Sequence, residues 1–270
     1  MSFKIGFEIE TERKEEKSEF ETKRTRKIKP KKSVVDVFFP DKHLTLSYYN
    51  DSFDLKVGDW VYVDGKLEGF RGRVNNINYN FKIKLSDYQR VISVVDFDVK
   101  GEFYLAGTHF FTTDKNALNF DKASTWFNPP EKDDEEYVIS TDDEMFNLQD
   151  LGGMKIEKEV ADRGYNYYLQ DRVMYIEIDK QKGKAIVKGS KNYLVEFKYQ
   201  NGDISELVCS CFCTSACKHQ FATMLQLKDT LEFMAKNYPI IDSDYVAIIN
   251  KIEFFKNVID NTTTGCFSLN

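Results

Sequence analysis

Apolar and polar residues alternate over much of the first half of the chain, with the two-residue period of a β-strand whose faces differ in environment. The alternating runs cover residues 33–39, 43–49, 57–63, 70–74, 81–85 and 91–99. Gly, Asp and Asn separate them, and the pair Asp64-Gly65 is typical of a tight hairpin turn. Short strands at this spacing favour a small antiparallel β-barrel or a sandwich, and we predict a small barrel-like domain over residues 34–127.

The second half begins with further β patterns and ends with helical ones. Strands are predicted at residues 164–169, 173–178, 185–188, 193–199 and 204–208. After residue 219 the period changes, and a helix is predicted from apolar residues that recur on one helical face, namely Met224, Leu227, Leu231 and Met234. Pro239 ends it. A second helix is predicted from Tyr245, Ile248, Ile249, Ile252 and Ile259.

Two runs of charge divide the chain. Residues 22–32 contain seven Lys/Arg and no acid, whereas residues 128–150 contain nine acids and one base. We therefore predict a charged arm (1–33), the barrel-like domain (34–127), an acidic linker (128–152), a second domain (153–240), and a C-terminal helix and tail (241–270). The predicted fold class is α+β and β-dominated: a small N-terminal antiparallel barrel, then a β-hairpin-plus-helix domain with a C-terminal helix.

The composition limits the classes of protein to consider. The 270 residues carry a net charge of -6, which argues against a protein that is basic over its whole surface. No apolar run approaches the length of about 18 residues that a membrane span requires. The N-terminus lacks the apolar core of a secretory signal, so we predict a cytoplasmic protein with no membrane partner. In a reducing compartment, clustered cysteines favour metal binding over disulfides.

Four of the five cysteines lie within nine positions. Cys209 and Cys211 end a predicted strand, where residues i and i+2 point to the same side and can hold one ion. Cys217 and His219 open the predicted helix and can complete a tetrahedron. Three thiolates and one imidazole are ligands that suit a structural Zn²⁺ ion. Cys213 lies between the two pairs and is an alternative to Cys209 or Cys211 as a ligand.

The sequence favours a structural metal over a catalytic one. A catalytic zinc usually keeps three protein ligands, an open position and a nearby carboxylate, whereas here four ligands are available and no acid lies between residues 209 and 226. No phosphate-binding Gly-x-x-x-x-Gly-Lys-Ser/Thr motif, paired carboxylates or nucleophile–base motif stands out. We therefore predict a non-enzymatic protein with no catalytic residue and no small-molecule substrate.

The run Cys-Ser-Cys, a five-residue loop and Cys-Lys-His at the start of an apolar helix resembles the SWIM-type zinc finger. Residues 161–165, 173–176, 187–190 and 193–195 are similar to the strands that precede the ligands in bacterial members, so the resemblance covers about residues 161–235. It implies zinc binding and contacts with DNA or other proteins, since members occur beside helicase-like ATPase modules, in transposase-related proteins and in recombination partners. The short loop and Cys213 within it depart from the family pattern and leave one ligand open.

The N-terminal segment has a resemblance of its own. Residues 57–63 (Val-Gly-Asp-Trp-Val-Tyr-Val), followed by residues 69–74, resemble part of a Src-homology-3-like or KOW-type barrel. The resemblance covers about residues 40–100. It implies a barrel of a kind that often binds nucleic acid or peptides.

Lysines near the predicted zinc site supply candidate phosphate contacts. Lys182, Lys184 and Lys188 surround one predicted hairpin, and Lys218 lies between two ligands. We predict a nucleic-acid-associated protein, with DNA favoured, in which these lysines approach phosphates and the barrel and basic arm add a second contact. The alternative is a protein–protein adaptor whose zinc module docks a helicase, recombinase or defence complex, and the acidic net charge suits it.

Overall fold

The computed structural model describes residues 3–7, 30–127, 145–241, 243–261 and 265–269. Contacts between residues divide this chain into two compact units. The N-terminal unit contains the described residues 30–96. The C-terminal unit contains the described residues from Phe97 onward and most of the first strand. Residues 97–127, which the sequence assigns to the barrel domain, therefore belong to the C-terminal unit, because their strands pair with strands near the C-terminus.

Strands and helices are distributed over both halves of the chain. The strands are β1 Phe3–Phe7, β2 Ser33–Phe39, β3 Leu44–Asn50, β4 Trp60–Val63, β5 Gly72–Asn78, β6 Val91–Val94, β7 Lys100–Ala106, β8 His109–Thr112, β9 Phe146–Asn147, β10 Val173–Asp179, β11 Lys182–Lys188, β12 Asn192–Gln200, β13 Asp203–Cys209, β14 Tyr245–Asn250 and β15 Gly265–Leu269. The α-helices are α1 Phe120–Phe127, α2 Lys158–Leu169, α3 Lys218–Asn237 and α4 Lys251–Asn261. The prediction of a β-dominated α+β fold is confirmed.

The N-terminal unit is one antiparallel sheet with the strand order β3-β2-β5-β4-β6. Alternate residues of β2, including Val35, Val37 and Phe39, enter a core of their own. The sheet curls until its two edges meet at one point, where the Tyr49 N–H donates to the Gln89 carbonyl at 2.9 Å. Because four-residue β6 pairs along its length only with β4, the described strands form a curled open sheet and not the closed barrel that the sequence predicts.

The C-terminal unit is built on a ten-stranded sheet with the order β1-β15-β7-β8-β14-β10-β11-β12-β13-β9. The pairs from β7 to β9 are antiparallel, and β15 runs parallel to β7. Two successive residues of β8 show that other parts of the chain pack on both faces of this sheet. Phe111 packs against Tyr238 just beyond α3, whereas its neighbour Phe110 packs against Phe254 and Phe255 of α4. The sheet is therefore the middle layer of three.

Three predicted elements differ in type from those observed. Residues 81–85 form no strand and lead into a 3-10 turn at Leu85–Asp87. Residues 164–169 are the second half of helix α2 and not a strand. The helix packs on α3 at buried Gly164, where a Cβ would lie 2.9 Å from the Phe221 side chain. The apolar residues from Tyr245 to Ile249 form strand β14, and the last helix begins only at Lys251. Every residue of β14 is buried, and a strand buried on both faces loses the alternation by which strands are recognised.

A buried carboxylate fixes α1 to the sheet. Glu177 of β10 accepts hydrogen bonds from the Tyr245 hydroxyl at 2.8 Å and the Tyr175 hydroxyl at 3.1 Å. The same oxygen accepts the backbone N–H of Phe120, the first residue of α1, at 2.6 Å. Burial raises the pKa of Tyr175 well above its usual value, so its hydroxyl keeps its proton and remains a donor. The network thereby satisfies an N–H group that a helix start leaves unpaired.

Candidate metal centre

The four predicted ligands come from the end of β13 and the beginning of α3. Cys209 is the last residue of β13, and its position is fixed by pairing with Val195 of β12. Cys217 is the N-cap of α3, and His219 lies in the first turn of that helix. The strand–loop–helix order that the sequence predicts around the ligands is therefore observed.

Hydrogen bonds around Gln220 hold the two elements together at the centre. The side-chain oxygen of Gln220 accepts the Cys217 backbone N–H at 2.7 Å, and the Cys217 thiol accepts the Gln220 backbone N–H. The Gln220 amide also donates to the Leu207 carbonyl of β13 at 3.0 Å. This reciprocal arrangement is a capping box with Cys in place of Ser or Thr. The Cys-x-x-Gln spacing could have revealed it, but sequence reasoning missed Gln220.

The ligand atoms form a group of tetrahedral dimensions. The Sγ atoms of Cys209, Cys211 and Cys217 and a ring nitrogen of His219 all lie within 4.8 Å of one another. His219 Nδ1 is 3.7 Å from Cys209 Sγ and 3.7 Å from Cys217 Sγ. Metal–ligand distances of about 2.3 Å for sulfur and about 2.0 Å for nitrogen give an S···N edge of about 3.6 Å in a zinc tetrahedron. The residues present therefore fit a metal ion of this type.

Cys213, the alternative ligand, lies outside the group. Its residue is exposed, whereas Cys217 and His219 are buried and Cys209 and Cys211 are half-buried. The group that the structure brings together is the originally predicted set of three cysteines and one histidine. Its donor types can hold a metal ion; they do not by themselves define which one.

Two tyrosine rings fix the His219 imidazole. Tyr193 of β12 stacks on it with ring centroids 4.1 Å apart, and Tyr167 of α2 meets it edge-on at 5.5 Å. Gly189 makes room for the stacked ring, since a Cβ there would lie 2.7 Å from Tyr193 Cε2. His219 Nδ1 faces the thiols, while buried Nε2 has no hydrogen-bond partner among the described residues. Sequence reasoning missed these supporting residues, which lie 26 to 52 positions before His219.

The thiols differ in their affinity for protons. A hydrogen bond with Cys209 and a weaker effect of a hydrogen bond with His219 lower the pKa of Cys217 to about 4, although burial acts in the opposite direction. The same bond, together with burial, raises the pKa of Cys209. Burial raises the pKa of Cys211 to about 11. Because metal ligands are thiolates, a metal ion that binds at neutral pH must displace protons from Cys209 and Cys211.

The four predicted phosphate contacts are not brought together. Lys182, Lys184 and Lys188 alternate along β11, on the opposite face from Ala185 and Val187, which enter the core beneath α3. The Lys184 ammonium lies 4.6 Å from the ring of Phe120 in α1. The fourth lysine, Lys218, opens α3 on the other face, with its ammonium 4.6 Å from the Tyr167 ring. The four lysines therefore do not form one patch that a single nucleic-acid strand could contact.

The two predicted charge runs lie mostly outside the part of the chain that the structure describes. Residues 22–29 of the basic arm and residues 128–144 of the acidic linker lie outside the described residues. Within the described part of the chain, no helix is both long enough and apolar enough to cross a membrane.

Comparisons of this chain with protein-family models, with curated proteins and with solved structures found no match. The fold and the centre thus define a β-dominated α+β protein with a Cys3His group that can hold a metal ion.

Proposed function

We propose that this chain is a zinc-dependent, non-enzymatic protein in which a structural Zn²⁺ ion joins β13 to α3, and that the joined module binds nucleic acid. The observation that carries the proposal is the Cys3His group, whose ligand atoms lie within 4.8 Å of one another. Four protein ligands leave no open position for a substrate, which suits a structural ion. The ion's role is to fix a strand–helix corner that the adjoining loop could not fix alone.

The ligand order supports a SWIM-type zinc finger. Cys-x-Cys follows a strand, and Cys-x-His opens a helix, as the resemblance implies. The segment at 161–165, which the resemblance compares with a strand, lies in helix α2. The assignment therefore rests on the ligands and the elements that carry them, and not on the segment upstream.

The nucleic-acid part of the proposal, with DNA favoured, rests on cations beside the centre, whereas a cytoplasmic location is proposed because free thiols persist in a reducing compartment. Lys218 lies between two ligands at the start of α3, where the helix dipole also favours an anion. In the N-terminal unit, Arg71 lies over the ring of Trp60, an arrangement that could add a second contact. Two weak contacts on one chain raise the overall affinity beyond that of either.

A protein–protein adaptor is the second candidate. The observation in its favour is Phe212, which directly follows the ligand Cys211 and is 97% exposed. An exposed aromatic residue on a rigid turn is a common anchor in protein interfaces. Capture from cell extract after nuclease treatment should return one defined partner in stoichiometric amount if this candidate is correct, and the partner should be lost with Phe212→Ala.

The metal is tested by replacing its ligands. We expect Cys209→Ser and His219→Ala to abolish stoichiometric zinc, measured by elemental analysis of chelator-free protein, and to lower the melting temperature by several degrees, because binding and folding are coupled. Cys213→Ser is the matched control and should retain both zinc and stability. Wild-type protein without a stoichiometric transition metal would refute the proposal.

Nucleic-acid binding is tested separately on the zinc-loaded wild type. A labelled oligonucleotide should be retained in a gel at low salt and released steeply as the salt concentration rises, because cations that contact phosphates displace counterions. Retention that does not change with salt, or no retention at all, would leave the adaptor as the remaining candidate.

A further inference from the structure

Three cations surround the two tyrosines that pack on His219. The Arg172 guanidinium carbon is 4.8 Å from the centroid of the Tyr167 ring, and the Lys218 ammonium is 4.6 Å from the same centroid. The Lys191 ammonium is 6.0 Å from the centroid of the Tyr193 ring. These residues come from three separate parts of the chain and meet only in the folded molecule. We call Arg172, Lys191 and Lys218 the basic rim.

Charge distinguishes the basic rim from the lysines of β11. Among the described residues, no ion pair involves Arg172, Lys191 or Lys218. The Arg172 Nε donates to the Gln170 side chain at 2.7 Å, which leaves its other N–H groups for a further acceptor. A cation that rests on an aromatic ring keeps its full charge and remains able to bind an anion.

The β11 lysines, by contrast, already have carboxylates beside them. Lys184 is paired in the sheet with Glu177 on one side and Glu196 on the other. The Lys188 ammonium lies 3.6 Å from a carboxylate oxygen of Glu253. A phosphate that approached these lysines would meet nearby negative charge. The basic rim, with a formal charge of about +3, exceeds the charge of about -1 that three thiolates and Zn²⁺ would leave at the centre.

An exposed aromatic side chain belongs to the loop of the same centre, directly after Cys211, whose Sγ lies within 4.8 Å of a ring nitrogen of His219. Phe212 follows Cys211 directly and is 97% exposed. Its loop runs between the ligands Cys211 and Cys217, so an ion bound at the centre would hold both ends of the loop, and less conformational freedom would be lost when the Phe212 ring contacts a partner. Exposed aromatic rings combined with cations are typical of surfaces that bind single strands, whose unpaired bases stack on the ring.

We propose that the basic rim and Phe212 form a binding surface for single-stranded nucleic acid, with phosphates on Arg172, Lys191 and Lys218 and a base stacked on Phe212. This assignment rests on the proposed nucleic-acid function and replaces Lys182, Lys184 and Lys188 as its phosphate contacts. The stacking site selects a single strand over a duplex, because bases in a duplex are already stacked on one another.

The first test uses full-length, zinc-loaded protein and a fluorescein-labelled 20-nucleotide oligo-dT, with binding followed by anisotropy between 50 and 200 mM KCl. The triple variant Arg172→Gln, Lys191→Gln, Lys218→Gln should bind at least about tenfold more weakly than the wild type at 50 mM KCl. The slope of log affinity against log salt concentration should become shallower by about 2, since each phosphate contact contributes about 0.7. The matched control Lys182→Gln, Lys184→Gln, Lys188→Gln removes the same charge and should change the affinity less than twofold.

The second test concerns the aromatic ring. Phe212→Ala should weaken oligo-dT binding about fivefold to tenfold with an unchanged salt slope, because stacking is not electrostatic. Ile240→Ala, at a residue that is 95% exposed, is the control and should bind like the wild type. A duplex of the same length should bind more weakly than the single strand, and its affinity should not depend on Phe212.

The possible failures can be told apart. If the wild type does not bind oligo-dT at 50 mM KCl, both this surface and the nucleic-acid function are wrong. If the wild type binds but the two triple variants lose affinity equally, or only the β11 variant loses it, the function stands and the surface is wrong. If the basic-rim variant loses zinc or melts at a lower temperature, the single variant Lys191→Glu replaces it, because Lys191 is exposed. This variant should bind oligo-dT at least threefold more weakly than the wild type. An unchanged affinity would show that the proposed surface is wrong.

Discussion

Gly189 lies close to the Tyr193 and His219 rings of the candidate metal centre. A methyl group at this position would lie 2.7 Å from Tyr193 Cε2 and 3.4 Å from His219 Nε2. The stacked tyrosine must therefore move before any other residue can occupy position 189. Because Tyr193 holds the His219 ring in place, the displacement should reach the ligand itself.

We accordingly expect Gly189→Ala to lower the free energy of unfolding by about 1–3 kcal/mol, the usual range for overpacking, and to weaken zinc binding. Chemical denaturation and competition with a chromogenic chelator measure the two effects. Gly152→Ala is the control, because its added methyl meets only a flexible Asp150 carboxylate oxygen at 3.0 Å. Equal effects of the two substitutions would show that Tyr193 does not position the histidine.

At the scale of elements, the start of α3 depends on one side chain that serves both the helix and the strand before it. Gln220 accepts from the Cys217 N–H and donates to the Leu207 carbonyl. We expect Gln220→Ala to cost about 1–3 kcal/mol, the penalty for leaving a buried donor unpaired. Urea denaturation of the zinc-loaded protein measures it.

A control on the same helix separates this effect from a general change in helix stability. Glu232→Ala alters an exposed residue whose carboxylate lies 4.0 Å from the Lys228 ammonium, and it should change stability by no more than about 0.5 kcal/mol. The metal-free protein should still lose stability with Gln220→Ala, since the hydrogen bonds do not require the ion. No loss in either state would mean that the capping box contributes nothing.

At the scale of the whole molecule, a buried histidine makes the stability of the fold depend on pH. His109 of β8 is fully buried and contacts the Val173 carbonyl of β10 through Nε2 at 2.9 Å. Burial lowers its pKa below the usual value, so the folded protein holds the neutral form. Nearby Asp171 and Lys251 act in opposite directions and do not reverse this effect.

The sign of the pH effect follows from linkage. As the pH falls below about 6.5, the unfolded chain takes up a proton at His109 that the folded chain refuses, so stability falls until the lower, folded pKa is passed. We expect the melting temperature to drop between pH 7.5 and pH 5 more steeply in the wild type than in His109→Gln. Proton uptake at the Cys3His group affects both proteins alike, so the difference in slope isolates His109. Parallel curves would contradict the assignment.

The sequence by itself determined the features that depend on residues close together in the chain. Cys-x-Cys at a strand end and Cys-x-His at a helix start place four ligands at the ends of two consecutive elements, so the metal group and the helix that carries half of it were predicted correctly. The alternation of apolar residues likewise located the five strands of the N-terminal unit, strands β10 to β13 of the C-terminal unit, and the fold class.

Only the tertiary structure decided which distant segments meet. Strand β14 lacks alternation because both of its faces are buried, and α2 packs closely on α3 at Gly164; neither set of packing partners is visible in a local pattern. The same holds for the surroundings of the centre, since Tyr167, Gly189 and Tyr193 reach His219 from other elements. Ligand spacing is a property of one short segment, whereas packing partners and the sum of surface charges depend on contacts between segments far apart in sequence, which local periodicity does not encode.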